Sequence, residues 1–235
     1  MPISSPTDIA GCKLWLAANA ITGLADGDPI STWSDASGVG NHATATLTTR
    51  PLYKTGILNG LPVVRFDGSN DALLLSGITL GDFSAFAVVK TGGGDYALMG
   101  ATGPNPQLRM GQTTNKLSTF DSSNNPQSST LGTALTSFST VEYLRAVTTV
   151  SFYQNGTAYS TGSMAGSQTF TRIGEIASSL RLNGDIAEIV FYDSALSAGN
   201  RQDVEAYLNT KWFVGGGGGV VIPVVRHHLK QMGIS

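Results

Sequence analysis

Short segments in which apolar and polar side chains alternate recur along most of the chain, and this pattern limits the fold more than any other feature. Clusters of glycine, asparagine, aspartate and serine separate the segments. Asn155-Gly156 joins residues 151–153 to 157–159, and both central residues of such a hairpin turn need a positive φ. Strands spaced at roughly 8–12 residues are typical of an antiparallel sandwich or barrel. The pattern therefore predicts an all-β fold.

The same alternation predicts individual strands. Phe83 to Lys90 is expected to be a mostly buried strand. Residues 137–143 and 146–153 are expected to be two further strands, separated at Leu144-Arg145.

One helix is predicted after the last strand. Gly184 to Asp193 is expected to be that strand, and Ser197 is suited to cap the helix that follows. Apolar side chains recur beyond Ser197 at the spacing of one helical face. We predict an apolar face of Val204, Tyr207, Leu208 and Trp212, and an opposite face of Arg201, Glu205 and Asn209.

A run of five glycines divides the chain. We predict a jelly-roll domain over residues 1–214, a flexible linker over 215–219 and an anchoring tail over 220–235. Pro223 is suited to open a short helix, which would need a partner to be stable, whereas residues 220–225 could instead add a strand to a sheet edge. The residues predicted to contact the partner are Val221, Ile222, Pro223, Val225, Arg226, Leu229 and Met232.

Composition restricts the classes of function. Charged residues are 13% of the 235 and the net charge is −2, so we expect no nucleic-acid binding. Neutral polar residues are expected to cover much of the surface. We expect neither a membrane span nor a secretory signal, because no apolar run approaches the roughly 20 residues that a span needs and the first residues lack the signal pattern. Cys12 is the only cysteine and is expected to be a small buried hydrophobe.

Catalytic patterns are not found in the sequence. The chain has four glutamates, and none belongs to the carboxylate run with which glycosidases of sandwich folds supply an acid and a nucleophile. Asp185 and Glu188 are three residues apart, so we expect them on opposite faces of a strand. His42 is expected in a glycine-rich loop, and the other two histidines follow the linker, where a triad would be poorly held. We therefore expect a protein that is not an enzyme.

No cofactor is expected apart from calcium, for which Asp67, Asn70 and Asp71 are the candidate ligands. Oxygen ligands clustered in one loop are what this ion requires. The alternative is turn chemistry, in which the same side chains cap their own backbone. Asp26-Gly27-Asp28 has the same two interpretations.

Three tryptophans could stack on sugar rings. Trp15 and Trp212 are expected in the core because their neighbours are apolar, and Trp33 is less well defined because Thr32 and Ser34 flank it. No glycan-binding residue is assigned from the sequence.

Several segments together resemble a known family. They are Leu14-Trp15-Leu16 and residues 31–35, 37–41, 64–71, 152–156 and 184–188. Over Cys12 to Trp212 they are similar to the concanavalin A-like, laminin-G-like jelly rolls of bacterial and phage surface proteins. The chain departs from that pattern at Ala17, where the family often has an acidic residue. The resemblance implies two antiparallel sheets with adjacent chain ends, but no particular function, since this fold serves many.

Two functional hypotheses follow. The first is a non-enzymatic surface protein of a bacteriophage particle, decorating head or tail, with a lectin-like body whose tail binds other virion proteins or copies of itself. The second is a stand-alone carbohydrate-binding or adhesion module of a bacterial surface, whose partner is a cell-surface glycan. Neither involves nucleic acid or a membrane.

Overall fold

Over the residues that the structure describes, the protein is an antiparallel β-sandwich with one α-helix. The computed structural model describes residues 3–92, 96–103, 105–111, 116–121, 123, 126–176 and 180–214. In chain order the elements are β1 (Cys12–Ala17), β2 (Thr32–Trp33), β3 (Ala43–Thr44), β4 (Leu52–Leu58), β5 (Leu61–Asp67), β6 (Leu73–Leu80), β7 (Phe83–Thr91), β8 (Tyr96–Gly100), β9 (Gln107–Met110), β10 (Lys116–Phe120), β11 (Pro126–Thr130), β12 (Ser139–Ala146), β13 (Thr149–Gln154), β14 (Thr157–Ser163), β15 (Gln168–Ile173), β16 (Glu175–Ile176), β17 (Leu180–Arg181), β18 (Asn183–Tyr192) and α1 (Ala198–Trp212).

Two eight-stranded sheets form the layers. The first sheet has the order β14-β13-β12-β7-β18-β5-β4, and β1 pairs with the second half of β18. The second sheet has the order β11-β10-β9-β8-β15-β6-β3-β2, and β16 and β17 form a separate hairpin. All these pairings are antiparallel, which confirms the predicted two-sheet sandwich.

Aromatic side chains join the two sheets. Phe83 and Phe191 of the first sheet lie on Phe170 of the second, with ring centroids 5.9 and 5.7 Å from that of Phe170. All three rings are fully buried. Such edge contacts add to the free energy of burial, so this trio helps to hold the two sheets together.

The helix α1 covers part of the outer face of the first sheet, the face turned away from the second sheet, where it contacts β1, β12, β13 and β18. Ser197 caps it as predicted, its Oγ accepting a hydrogen bond from the backbone of Asn200. Val204, Leu208 and Trp212 are buried against the sheet.

The prediction for Arg201 was wrong. Its side chain is also buried under α1, where it bonds Glu142 and Glu205 and stacks on Tyr153. Helical spacing alone cannot show this, because a long cationic side chain can pack along a sheet once a buried carboxylate receives its charge.

The turns confirm one prediction and correct another. Asn155 and Gly156 have φ of 49° and 75°, as the predicted hairpin turn requires. The strands before that turn meet at Val147 and Thr148, with φ of 58° at Val147, so the predicted separation at Leu144-Arg145 was wrong. The turn was missed because it contains neither glycine nor asparagine.

A bulge in β18 corrects the prediction for Asp185 and Glu188. Ile186 pairs with Val89 and Glu188 with Val88, so Ala187 is an extra residue. The insertion reverses the side-chain alternation and places Asp185 and Glu188 on the same, outer face of the first sheet.

Within the part of the chain that the structure describes, no helix is long and apolar enough to cross a membrane.

Candidate functional site

The outer face of the second sheet differs from that of the first because no helix of the described residues covers it. One transverse row of paired residues crosses all eight strands. From one edge to the other it consists of Thr32, Thr44, Leu74, Arg172, Gly100, Gln107, Phe120 and Pro126. Side chains next to this row, such as Trp33, Leu73 and Leu108, are buried between the sheets. The row therefore faces outward.

The hairpin of β16 and β17 rises over the middle of this row. An added Cβ at Gly100 would lie 2.5 Å from Cγ1 of Ile176, so only glycine allows the hairpin to approach β8 this closely. Ile176 is buried there. The hairpin thus forms a wall between Arg172 on one side and Gln107 on the other.

On one side of this wall lies a platform of three side chains from β9 and β10. The guanidinium carbon of Arg109 lies 4.4 Å from the ring centroid of Phe120. Arg109 Nε donates to Gln107 Oε1, and Gln107 Nε2 donates to Asn105 Oδ1 at 3.2 Å. Phe120 and Arg109 are both partly exposed. We call Gln107, Arg109 and Phe120 the platform.

A triad of charged side chains joins the hairpin to β15 on the other side, since Glu175 and Arg181 belong to the hairpin and Arg172 to β15. Glu175 accepts hydrogen bonds from Arg172 Nη1 on one carboxylate oxygen and from Arg181 Nη2, at 3.0 Å, on the other. The glutamate side chain is 4% exposed, and those of Arg172 and Arg181 are 20% and 28% exposed. We call these three residues the triad.

A small pocket lies at the β2 end of the row. Its lining consists of Ala17, Ala20, Ile21, Thr22, Thr32, Trp33 and Ser34. Its volume of about 110 Å³ is below the roughly 300–1,000 Å³ of small-molecule sites. Trp33 is fully buried, and no described residue accepts a hydrogen bond from its Nε1. The structure therefore places Trp33 in the core, which the sequence left less well defined.

The other tryptophans lie at the opposite layer. Trp212 is fully buried beneath α1, as predicted, and Trp15 is partly buried. The indole nitrogens of both donate to Glu188, at 2.6 Å each.

Cys12 is partly buried rather than buried, and desolvation raises the pKa of its thiol to about 12.

Asp67, Asn70 and Asp71 lie together in one turn after β5. Asp67 Oδ1 accepts from the backbone of Ser69 and Asn70, and Asp71 Oδ2 accepts from the backbone of Asp67 at 2.9 Å. These bonds are those of the alternative to calcium binding, in which the side chains cap the backbone of their own turn. Among the described residues no group of three or more histidine, cysteine, aspartate and glutamate side chains is arranged to hold a metal. Calcium binding stays a prediction.

Asp71 gives this turn a pH dependence. Burial, together with the charge of Asp67, raises the pKa of Asp71 to about 6 against the bond from the backbone of Asp67. Because the folded-state pKa exceeds the unfolded value of 3.8, the folded state binds more protons between about pH 4 and 6 and loses stability as pH rises through that window. Asp71→Asn keeps an acceptor oxygen and is expected to gain about 1–2 kcal/mol at pH 7.5. Urea unfolding at pH 4 and 7.5 measures this. If calcium raises the midpoint of the original protein and not of the variant, the calcium hypothesis is supported, and no effect on either contradicts it.

The predicted tail contacts, from Val221 to Met232, lie outside the described residues, as does the linker. Anchoring through them stays a prediction.

Asp26 and Asp28 hold a surface loop, Asp26 by bonding Lys54 and Asp28 by accepting from the backbone of Ala25.

No protein-family model matches the chain, and no curated protein matches it. Solved structures do. Domain 4 of an extracellular arabinanase from Geobacillus stearothermophilus, in complex with arabinotriose, is 15% identical with a TM-score of 0.61, covering 83% of this chain and 98% of that one. The ligand-binding domain of botulinum neurotoxin serotype D, in complex with N-acetylneuraminic acid, is 11% identical with a TM-score of 0.59, covering 86% of this chain and 52% of that one.

A third similar structure is the sialidase of Trypanosoma rangeli in complex with sialic acid. It is 16% identical with a TM-score of 0.59, and the match covers 86% of this chain. This chain spans about half of the neurotoxin domain's length and 33% of the sialidase's. At these identities the likeness shows a shared β-sandwich fold.

Proposed function

We propose that this domain binds carbohydrate without catalysis, on the outer face of the second sheet. The observation that carries the proposal is the platform, where the partly exposed ring of Phe120 lies beside the partly exposed guanidinium of Arg109, which the buried amide of Gln107 holds in place. No helix among the described residues covers this face. Sugar rings have apolar C–H faces and polar edges. A ring with hydrogen-bonding side chains around it offers both contacts.

The chemistry of the carboxylates supports binding rather than hydrolysis. Asp185, now on the same face as Glu188, forms a two-point ion pair with Arg65 at 2.7 and 2.9 Å. Glu188 is fully buried, accepts three hydrogen bonds and forms an ion pair with Lys211, and Glu175 has both oxygens bonded to arginines. A glycosidase needs two carboxyl groups that reach one substrate bond. None of these three is arranged in that way.

Two of the structural neighbours are domains that were solved with a saccharide bound, arabinotriose in one and N-acetylneuraminic acid in the other. They support the proposal by showing that this sandwich architecture carries sugar-binding domains. The finer hypothesis, decoration of a phage particle through residues 220–235, rests on the sequence of the tail and stays a prediction.

Phe120→Ala tests the proposal. Glycan-array screening of the full chain is expected to give saturable binding, and calorimetry with the best glycan should show affinity at least about tenfold lower in the variant, because the ring loses its stacking contact. Thr79→Ala is the matched control, since Thr79 lies on the same face and bonds Thr169 at 2.8 Å away from the platform. Equal affinity in all three proteins, or no binding on the array, would overturn the proposal.

A further inference from the structure

The described charges on the outer face of the second sheet are mostly positive. The strands and the hairpin place four cations there, Arg109, Lys116, Arg172 and Arg181, against one carboxylate, Glu175. The whole chain, in contrast, has a net charge of −2. This face therefore attracts anions although the protein as a whole does not.

The triad concentrates that charge. One carboxylate bridges two guanidinium groups. The two positive charges and the single negative charge leave the triad with a net charge of +1. The Nε atoms of Arg172 and Arg181 are buried without a hydrogen-bond acceptor among the described residues. Unneutralised charge in a partly buried site is unfavourable, and an anion that reaches the exposed part of both guanidiniums would relieve it.

The position of the triad suits a ligand on the same face. Arg172 follows Leu74 in the transverse row, and Leu74 is 37% exposed although its neighbours Leu73 and Leu75 are buried. Thr44 continues the row beyond Leu74 and is exposed. One acidic sugar residue could use all three features. Its C–H face would contact Leu74, a hydroxyl would bond Thr44, and its acidic group would bind the arginines of the triad.

We propose that the domain selects acidic saccharides, whose carboxylate or sulfate group binds Arg172 and Arg181. This inference rests on the proposed carbohydrate-binding function and names its ligand class. Guanidinium groups present paired N–H donors that match both anions, and charge-assisted hydrogen bonds are about twice as strong as neutral ones. Glu175 holds the two guanidiniums in place and leaves the pair cationic.

Matched pairs of acidic and neutral glycans test the inference. We would compare 3′-sialyllactose (a carboxylate) and 3′-sulfolactose (a sulfate ester) with lactose, and acidic glycans across an array with their neutral parents. The acidic member of at least one pair should bind about tenfold more tightly, and the preference should shrink as salt is raised. The two lactose derivatives distinguish carboxylate from sulfate.

Arg172→Gln and Arg181→Gln are each expected to remove the preference while retaining the affinity for the neutral parent. Lys13→Gln removes one positive charge from the exposed pair with Asp193 and should leave the preference intact. A thermal melt identifies a variant that fails to fold, in which case the other arginine variant decides. Equal binding of acidic and neutral glycans would overturn this inference and leave carbohydrate binding standing. Absence of binding to any glycan would overturn both.

Discussion

Glu188→Ala is expected to lower the free energy of unfolding by about 3–5 kcal/mol, because it removes the acceptor from a buried, charged network. Glu188 lies on β18 beneath α1 and its side chain is 0% exposed. Its Oε1 accepts from Trp15 Nε1 at 2.6 Å and from Tyr207 Oη at 3.0 Å. Truncation leaves these donors without a partner inside the protein, where each costs free energy.

The other oxygen of Glu188 fixes the end of the helix. Oε2 accepts from Trp212 Nε1 at 2.6 Å and lies 2.7 Å from Lys211 Nζ. The ammonium of Lys211 also lies 5.2 to 5.8 Å from the ring centroids of Trp15, Tyr207 and Trp212. Burial, with the charge of Glu188, raises the pKa of Tyr207 well above its usual range, so the phenol stays a donor. One carboxylate thus joins β1, β18 and α1.

Urea unfolding followed by tryptophan fluorescence measures the effect of Glu188→Ala. Glu188→Gln retains the shape but turns an amide N–H₂ toward donors, so an intermediate loss is expected. Asp193→Ala is the control, since that carboxylate follows β18 directly and its one ion pair among the described residues is an exposed one with Lys13, so less than about 1 kcal/mol should be lost. A loss in Glu188→Ala no larger than in Asp193→Ala would contradict the structural role given to the network.

The sequence was sufficient to predict the fold class because strand alternation and turn residues are local signals. Asn155-Gly156 needed only its own φ preference. The bulge at Ala187 gave no such signal, since an alanine in an apolar strand resembles any other strand residue. The effect of the bulge is large, because one inserted residue moves the Glu188 side chain to the other face of the sheet and places it on the same face as Asp185.

The candidate site could not be predicted from the sequence for a related reason. Arg109 and Phe120 belong to short strands of ordinary alternation, and nothing local indicates that they share a face. Arg172 reaches the same row only through the pairing of β15 with β6 and β8. The pairing register between distant strands brings the residues of the candidate site together. The sequence pattern instead indicated the turn at Asp67, where the aspartates accept hydrogen bonds from backbone amides.

Asp35→Ala is expected to cost about 2–4 kcal/mol, because one carboxylate organises a whole loop beside β1. Asp35 is 8% exposed. Its Oδ1 accepts from the backbone of Trp15 and Ser37, each at 2.9 Å, and its Oδ2 accepts from the backbone of Gly40 at 3.1 Å and of Asn41 at 2.9 Å. Removing the carboxylate leaves four backbone N–H groups without their acceptor, which no single loop rearrangement replaces.

The loss from Asp35→Ala should depend on pH. Burial acts to raise the pKa of Asp35, but the bonds from Trp15, Ser37 and Asn41 outweigh it and lower the pKa below its usual value. A lowered folded-state pKa gives stability that is present at neutral pH and is lost as pH falls through that pKa, so the difference between variant and original protein should shrink in acid.

Asp28→Ala is the control for Asp35→Ala, since among the described residues the Asp28 side chain accepts one hydrogen bond, from the exposed backbone of Ala25 at 2.7 Å. It should lose less than about 1 kcal/mol at every pH. Hydrogen exchange gives a second readout, because the amides of Gly40 and Asn41 should lose protection in Asp35→Ala alone. Unchanged protection there, with unchanged stability at pH 7, would show that the loop holds its shape without Asp35. Loss of both would show that a single buried carboxylate ties the loop between β2 and β3 to the sandwich.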